Sequence, residues 1–501
     1  MGIDPNDRAL PLSSLATLGA RTKLMQVSNS SISSESTEFW QQGQILEVAI
    51  EDLTDTGDGV GRWNERVVFV PDTVPGDRVL VRLVRVKRQY ACGKLHELLD
   101  ASPHRQRPHC IVADKCGGCQ WQQIHYDYQL QAKHHQVTQI LTRIGGFSAP
   151  PIDTQPTSSE ELGYRNKVTY PFARSSQGRV QAGYYQKGSH KLVNLNQCPV
   201  QDPRLDPLLA QVKQDIETRG WSIYNEGENR GKLRHLSLRI GRRTGEILLT
   251  LVSRSQKQSG LEEQATQWME RYPELVGVCL NINSDRTNRI LGSQTHCIAG
   301  RPYLHEQFGG LTFQLRSDTF FQVNTETAES LLQVVIDEWQ LRGDEVLLDA
   351  YCGIGTFTLP LAKRVRRAIG LESQPSAVEQ AQQNATLNGI ENVTFFQGKV
   401  KTWLGSYLDE RSLDGQIATD DPIDRVLLDP PRSGCDRSVI DSLRQLRPQR
   451  IAYISCKPAT LARDLKLLCQ GETYRVRKVK LADFFPQTAH VECAAFLERC
   501  E

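Results

Sequence analysis

From about residue 316 onward, short apolar segments alternate with helical ones, and this alternation restricts the fold more than any other feature. "EVLLDAY", "RAIGLE", "VTFFQ", "RVLLDPP" and "RIAYIS" are strand candidates, and stretches such as "SAVEQAQQNATLNG" lie between them. Apolar strands separated by helices predict a parallel sheet covered on both faces. Ligands of such sheets bind beyond the carboxyl ends of the strands. The residues that end each candidate strand are where chemistry is expected.

The first strand ends in "DAYCGIGTFTLPLA", where Gly353 and Gly355 permit a tight turn and close approach of a ligand to the backbone. Glu372 ends the second, where a carboxylate can accept both hydroxyls of a ribose. The glycine spacing is shorter than the phosphate-cradling G-x-G-x-x-G, and no Lys-Ser/Thr follows. A nucleoside without phosphates fits better, which points to S-adenosylmethionine.

The fourth strand ends in "LLDPPRSG", which sets Asp429 on a rigid floor. Amino-group methyltransferases place an aromatic residue after Asp-Pro-Pro; Arg432 stands there instead.

"AYISCKPATLARD" puts Cys456 at the next strand end, against the ladder-breaking Pro458. Carbon 5 of uracil is a poor nucleophile until a thiolate adds to carbon 6. Positive potential at the following helix start is expected to lower the thiol's pKa. Removing the carbon-5 proton needs a base, and "FFPQTAHVECAAF" offers Glu492, with His490 to position it. The competing readings are a buried structural cysteine and an ordinary edge-strand carboxylate. "SDTFFQVN" adds Gln322, suited to reading a base edge or a cofactor carboxylate, while Phe320 and Phe321 read as core.

Ahead of this region, residues 38–100 carry alternating strands broken by glycines, which predicts a compact barrel. From Arg78 to His96 there are six Lys or Arg and no acid. Residues 162–201 also lack acids and interleave six Lys or Arg with Tyr164, Tyr170, Phe172, Tyr184 and Tyr185. Residues 229–245 form a second acid-free run with Arg230, Lys232, Arg234, Arg239, Arg242 and Arg243. Three such runs favour RNA, with cations on phosphates and rings on unpaired bases.

Cys110, Cys116 and Cys119 give C-x5-C-x2-C, and Cys198 in "NQCPV" is the best-placed fourth thiol. An iron–sulfur cluster and a four-thiolate zinc site both fit this spacing. Thirteen cysteines in 501 residues do not read as a secreted disulfide scaffold, so a reducing, cytoplasmic setting is expected. No apolar run approaches the ~18 residues of a membrane span. Residues 1–37, rich in Ser, read as a disordered extension.

Taken together, "CGGC", "FFQVN", "DAYCGIGTF", "LLDPPRSG", "ISCKPATLARD" and "HVE" make the chain resemble the iron–sulfur RNA (uracil-C5)-methyltransferases. The likeness is nearest to the 23S ribosomal RNA branch with an N-terminal TRAM domain. It implies an α/β class I (Rossmann-like) methyltransferase domain at 316–501. A small TRAM/OB-like β-barrel at 38–100 and an iron–sulfur central α+β domain at 101–315 would precede it.

The resemblance further implies Cys456 as nucleophile and Glu492 as proton acceptor. Cofactor contacts are expected from Gln322, Tyr351, Gly353, Glu372 and Asp429, and a [4Fe–4S] cluster on Cys110, Cys116, Cys119 and Cys198. Lys399 departs from the polar or acidic side chain that the family often sets against adenine. The expected partner is structured RNA, 23S ribosomal RNA before transfer RNA, bound by a monomer without membrane or obligate protein partner. An amino-group methyltransferase and a catalytically silent RNA-binding or ribosome-assembly factor are the rival classes. The acidic segment 409–424 has no assigned role.

Overall fold

The computed structural model describes residues 40–158, 160–413 and 422–501, with backbone alone for 410–413. The extension 1–37 and residues 414–421 of the acidic segment lie outside the described residues.

Strands Ile45–Leu53, Gly59–Trp63, Arg66–Val70, Arg78–Val86 and Tyr90–Asp100 close into a barrel. Alternation does this: Val48, Ile50, Val68, Val79 and Val81 point inward and are buried, while Arg82, Arg85 and Lys94 are exposed.

A seven-stranded sheet follows, ordered Gln294–Gly300, Leu275–Ile282, Ile247–Ser253, Leu233–Ile240, Lys167–Arg174, Val180–Tyr185, Leu192–Asn194. Helices Asp206–Thr218 and Leu261–Arg271 bury Leu209, Val212, Ile216 and Trp268 with its apolar residues.

The C-terminal sheet contains β1 (Val346–Asp349), β2 (Arg367–Glu372), β3 (Val393–Gln397), β4 (Arg425–Leu428), β5 (Arg450–Ser455), β6 (Tyr474–Ala482) and β7 (Glu492–Arg499). Its order is β3-β2-β1-β4-β5-β7-β6. The first five strands pair in parallel, and β7 is antiparallel to both β5 and β6. That insertion brings the start of β7 to the carboxyl end of β5. The residues expected as strands from "EVLLDAY", "RAIGLE", "VTFFQ", "RVLLDPP" and "RIAYIS" are those of β1 to β5.

Packing crosses the expected boundary at residue 315. The hairpin Tyr303–Phe308 and Leu311–Arg316 buries Leu304, Phe308, Phe313 and Leu315 in the core of the C-terminal sheet. Its backbone is fixed by helix Pro375–Leu387 and its C-cap: Gln314 N donates to Asn384 Oδ1 at 2.8 Å and Thr312 N to Asn388 Oδ1 at 2.9 Å. Helix Tyr126–Ile140 likewise contributes Val137, and Leu141 just beyond it, to the other face of that sheet. Residues 151–157 run along the outer edge of β6, with Val479 donating to Pro151 O and Asp153 to Val479 O, both at 2.8 Å. An edge that would otherwise offer unpaired amides is thereby covered.

Candidate active site

The carboxyl ends of β1 and β4 border a cleft lined by Gln322, Asp349, Tyr351, Gly353, Leu427 and Asp429. Gly353 has φ +55, and a Cβ there would meet nothing within 4 Å, so the turn leaves room for a ligand against the backbone. Glu372 ends β2 beside the cleft rather than in its lining; its Oε1 accepts from Gln374 N at 2.8 Å and Ser373 Oγ at 3.1 Å. Tyr351 directs its hydroxyl to Cys435 Sγ at 3.8 Å. Phe321 is core, as expected, but Phe320 is 43% exposed and lines the cleft.

Asp349 is a site residue that the sequence reading passed over. It is buried, accepts a hydrogen bond from Thr358 Oγ1 at 2.6 Å, and has its pKa pushed up to about 7 by burial, with Glu372 adding to the rise. A strand-end acid directly before the glycine turn was the available signal. Asp429 is likewise raised to about 7, by burial and then by the charge of Asp349.

On β5, the neighbour of β4, Ser455 pairs with Cys493 of β7. One step further in the same register sets Cys456 opposite Glu492. Pro458 then opens helix Pro458–Leu468 at its first position, which ends the ladder and leaves Cys456 in the turn.

Burial pushes the Cys456 thiol up to about 11, the charges of Glu492 and Asp429 push the same way, and Arg432 opposes them. The expected depression of this thiol by the helix start does not occur: desolvation and two carboxylates outweigh one guanidinium and the helix end. Glu492 is buried, and burial followed by Asp429 raises it to about 8.

His490 is held neutral, lowered to about 4 by burial and by Arg432, Lys133 and Arg165. Its ring packs edge-on against Phe485, centroids 5.9 Å apart, and among the described residues no hydrogen bond joins it to Glu492. Lys399 precedes helix Val400–Leu413 and accepts from Thr402 N and Trp403 N through its carbonyl.

The four remaining thiols gather elsewhere. Gly117 N donates to Tyr185 O at 2.9 Å and Lys187 N to Lys115 O at 3.1 Å, which draws the loop of Cys116 and Cys119 onto the end of strand Val180–Tyr185. Burial raises Cys119 to about 12, and the fields of Cys198, Cys116 and Cys110 add to it. Cys198 rises to about 11, again with Cys116 and Cys110 contributing. Among the described residues, no group of three or more His, Cys, Asp or Glu is placed to hold a metal ion.

The two acid-free stretches of the central region, 162–201 and 229–245, are not the open basic face expected of them. Arg239 donates to Arg316 O and Thr319 O, both at 2.8 Å, and Arg234 to Asn283 O, Asp285 O and Thr287 O. Arg242 pairs with Asp202 and with Glu326, and Arg243 with Glu329. Tyr164, Tyr170 and Phe172 are buried. These cations and rings hold the central sheet together; Arg174, Arg179, Lys191 and Arg230 remain exposed.

Residues 125–500 match the family described as tRNA (Uracil-5-)-methyltransferase, and residues 40–96 match the TRAM domain. An uncharacterized RNA methyltransferase of Nostoc sp. is 65% identical over 91% of this chain and 97% of its own length. A second, from Synechocystis sp., is 55% identical over 92% and 97%. Among solved structures, the chain is similar to the Pyrococcus abyssi tRNA (uracil-54, C5)-methyltransferase in complex with S-adenosyl-L-homocysteine. The TM-score is 0.69 and the identity 26%, over 90% of this chain and 99% of that one. The chain therefore belongs to the tRNA (uracil-5-)-methyltransferase family, as an RNA methyltransferase that carries a TRAM barrel.

Proposed function

We infer that the protein transfers a methyl group from S-adenosylmethionine to carbon 5 of a uridine in structured RNA, through a covalent bond to Cys456. The observation that carries this reading is the register that sets Cys456 opposite Glu492 beside the cleft. Gly353, Gln322, Tyr351, Asp429 and the nearby Glu372 suit a nucleoside cofactor without phosphates. When bound, the cofactor supplies an electrophilic methyl group.

The target base must leave its stack to reach the site. Cys456 Sγ bonds to carbon 6, its proton passes to Asp429, and the electron pair makes carbon 5 nucleophilic. After carbon 5 has gained the methyl group, the Glu492 carboxylate takes its proton. The C–H pair re-forms the C5=C6 double bond, the C6–S bond breaks, and the sulfur recovers the proton from Asp429. The net change is one C–H replaced by one C–CH3, with one proton released.

Cys110, Cys116, Cys119 and Cys198 would hold a [4Fe–4S] cluster. Burial raises Cys119 and Cys198, the fields of neighbouring thiols add to the rise, and a cationic centre would stabilise their ionised form. A four-thiolate zinc site, with sulfurs at about 2.3 Å from the ion, is the competing reading. Methyl transfer requires no electron, so the cluster's part is structural. None of the thirteen cysteines is paired in a disulfide, which suits the cytoplasmic setting proposed here.

The TRAM barrel favours 23S ribosomal RNA as the substrate. Transfer RNA is the second reading, supported by the similarity to an enzyme described as acting on tRNA. Incubation of both RNAs with labelled methyl donor, followed by nucleoside analysis, tests this. 5-Methyluridine in one of them is expected; label on an exocyclic amino group, or none, contradicts the reading.

A further inference from the structure

Residues 483–491 join β6 to β7 and deliver Glu492, whose ladder partner Ala482 stands at the other base of the loop. Any shift of this loop therefore acts on the last rung, where the carboxylate sits. The loop is held from four separate parts of the chain.

From helix Tyr126–Ile140, Gln129 Oε1 accepts from Gln487 N at 2.9 Å, and Gln129 Nε2 donates to Gln487 Oε1 at 3.1 Å. The same Nε2 donates to Trp121 O at 3.1 Å and Ile124 O at 2.9 Å. One turn on, Lys133 Nζ donates to Asp483 Oδ1 at 2.7 Å and Phe485 O at 3.3 Å, inside a pair that is 1% exposed on each side.

The cysteine loop reaches the same point. Gln120 N and Trp121 N, the two amides directly after Cys119, both donate to Gln487 O, at 3.2 and 3.0 Å. The central domain adds Tyr164, which donates to Pro486 O at 3.1 Å, and Glu161, which accepts from Gln487 Nε2 at 3.0 Å.

The barrel closes the set. Trp121 Nε1 donates to Gly57 O at 3.1 Å, and Ala489 of the loop packs among Leu53, Val74, Trp121 and Ile124. Gly57 has φ +97, and a Cβ on it would lie 2.7 Å from Gln120 Cβ, so only glycine permits this approach.

Gln487 is thus engaged at its backbone N–H, its carbonyl and both side-chain atoms, and it is held at φ +69. A non-glycine residue in the left-handed region persists where its surroundings over-determine it.

We propose that Gln129 and Gln487 are positioning residues for proton removal, and that through them the seating of the cysteine loop and the barrel sets the placement of Glu492. This rests on the reading that Glu492 takes the carbon-5 proton. The pair touches the step after the Cys456 bond forms and leaves bond formation itself alone, because β5 and Cys456 are not among its contacts. Contacts that RNA makes with the barrel or the cysteine loop are thereby linked to release of the product.

The test is a single-turnover time course with uridine RNA and methyl donor, following the denaturation-resistant RNA–protein adduct. In Gln129→Ala the adduct is expected to form within about twofold of the wild-type rate and to decay about tenfold more slowly, as misplacement of a catalytic group would produce. Gln487→Gly keeps the backbone bonds to Gln120, Trp121 and Gln129 and suits the left-handed conformation, so it serves where the first variant folds poorly. A smaller slowing of decay is expected for it.

Decay at the wild-type rate in both variants, or formation and decay slowed in equal proportion, overturns the proposal. Failure of the wild-type enzyme to form any adduct with 5-fluorouridine RNA would instead remove the covalent reading, and this proposal with it.

Discussion

Two sets of thiols in this molecule are pushed to high pKa, for different reasons. Cys456 stands alone at a strand end, and after burial the charges that raise it are the carboxylates of Glu492 and Asp429, opposed by Arg432. Cys119 and Cys198 are raised, after burial, chiefly by other thiols. The first environment keeps one sulfur protonated beside groups able to take its proton, which suits a nucleophile armed only when substrate arrives. The second makes ionisation costly until a cation joins the sulfurs. The neighbours of each thiol, more than the size of its shift, separate a reactive site from a binding site.

The sharpest way to break this contrast is Cys456→Ala. It should lower methyl transfer by about 10^4-fold or more, since a nucleophile has no substitute, while RNA binding and the melting curve stay as in the wild type. Residual turnover within tenfold of the wild type would merge the two sets.

The opposite pattern is expected of Cys119→Ser. Iron and sulfide content should fall, and the melting temperature should drop by about 5 °C or more as a ligand that binds only the folded state is lost. Full iron occupancy in that variant, by elemental analysis, would contradict the assignment.

Turnover against pH sharpens the comparison at the Cys456 end. Glu492, raised to about 8, must be ionised to accept a proton, so its active fraction shrinks as pH falls. Below pH 8 the rate of adduct decay should drop about tenfold per pH unit and above it level off. A decay rate independent of pH between 6 and 8 would remove Glu492 from the step.

The smallest effect is expected for Arg432→Ala. Loss of the opposing charge raises the Cys456 thiol further and should slow adduct formation by about three- to tenfold in a stopped time course. Unchanged formation would leave Arg432 without a part in thiol ionisation.

How far the sequence reached differs between the same regions. β1, β2, β4 and β5 were legible because each is a short apolar run, largely buried, that ends at a residue with chemistry; β3 is an edge strand with Phe396 exposed, and its apolar run alone marked it. The facing of Cys456 and Glu492 was only half legible: both lie near strand ends, but their meeting depends on β7 entering antiparallel between β5 and β6. The acid-free stretches misled, because composition does not say which way a cation points. Arg239 and Arg234 turn inward to satisfy loop carbonyls, a role that an extended guanidinium fills as well as it binds phosphate. The bond between Lys133 and Asp483 joins residues 350 positions apart, and nothing local in either segment announces the other.

The central claim is that Cys456 sulfur bonds to carbon 6 of the target uridine, and 5-fluorouridine RNA tests it most directly. Fluorine at carbon 5 cannot leave as a proton does, so the methylated base stays attached after transfer. Peptide mass spectrometry of the denatured complex should find the modified nucleotide on the peptide that contains Cys456. Enzyme that methylates ordinary uridine RNA, yet yields no such adduct or carries it on another residue, would contradict the claim.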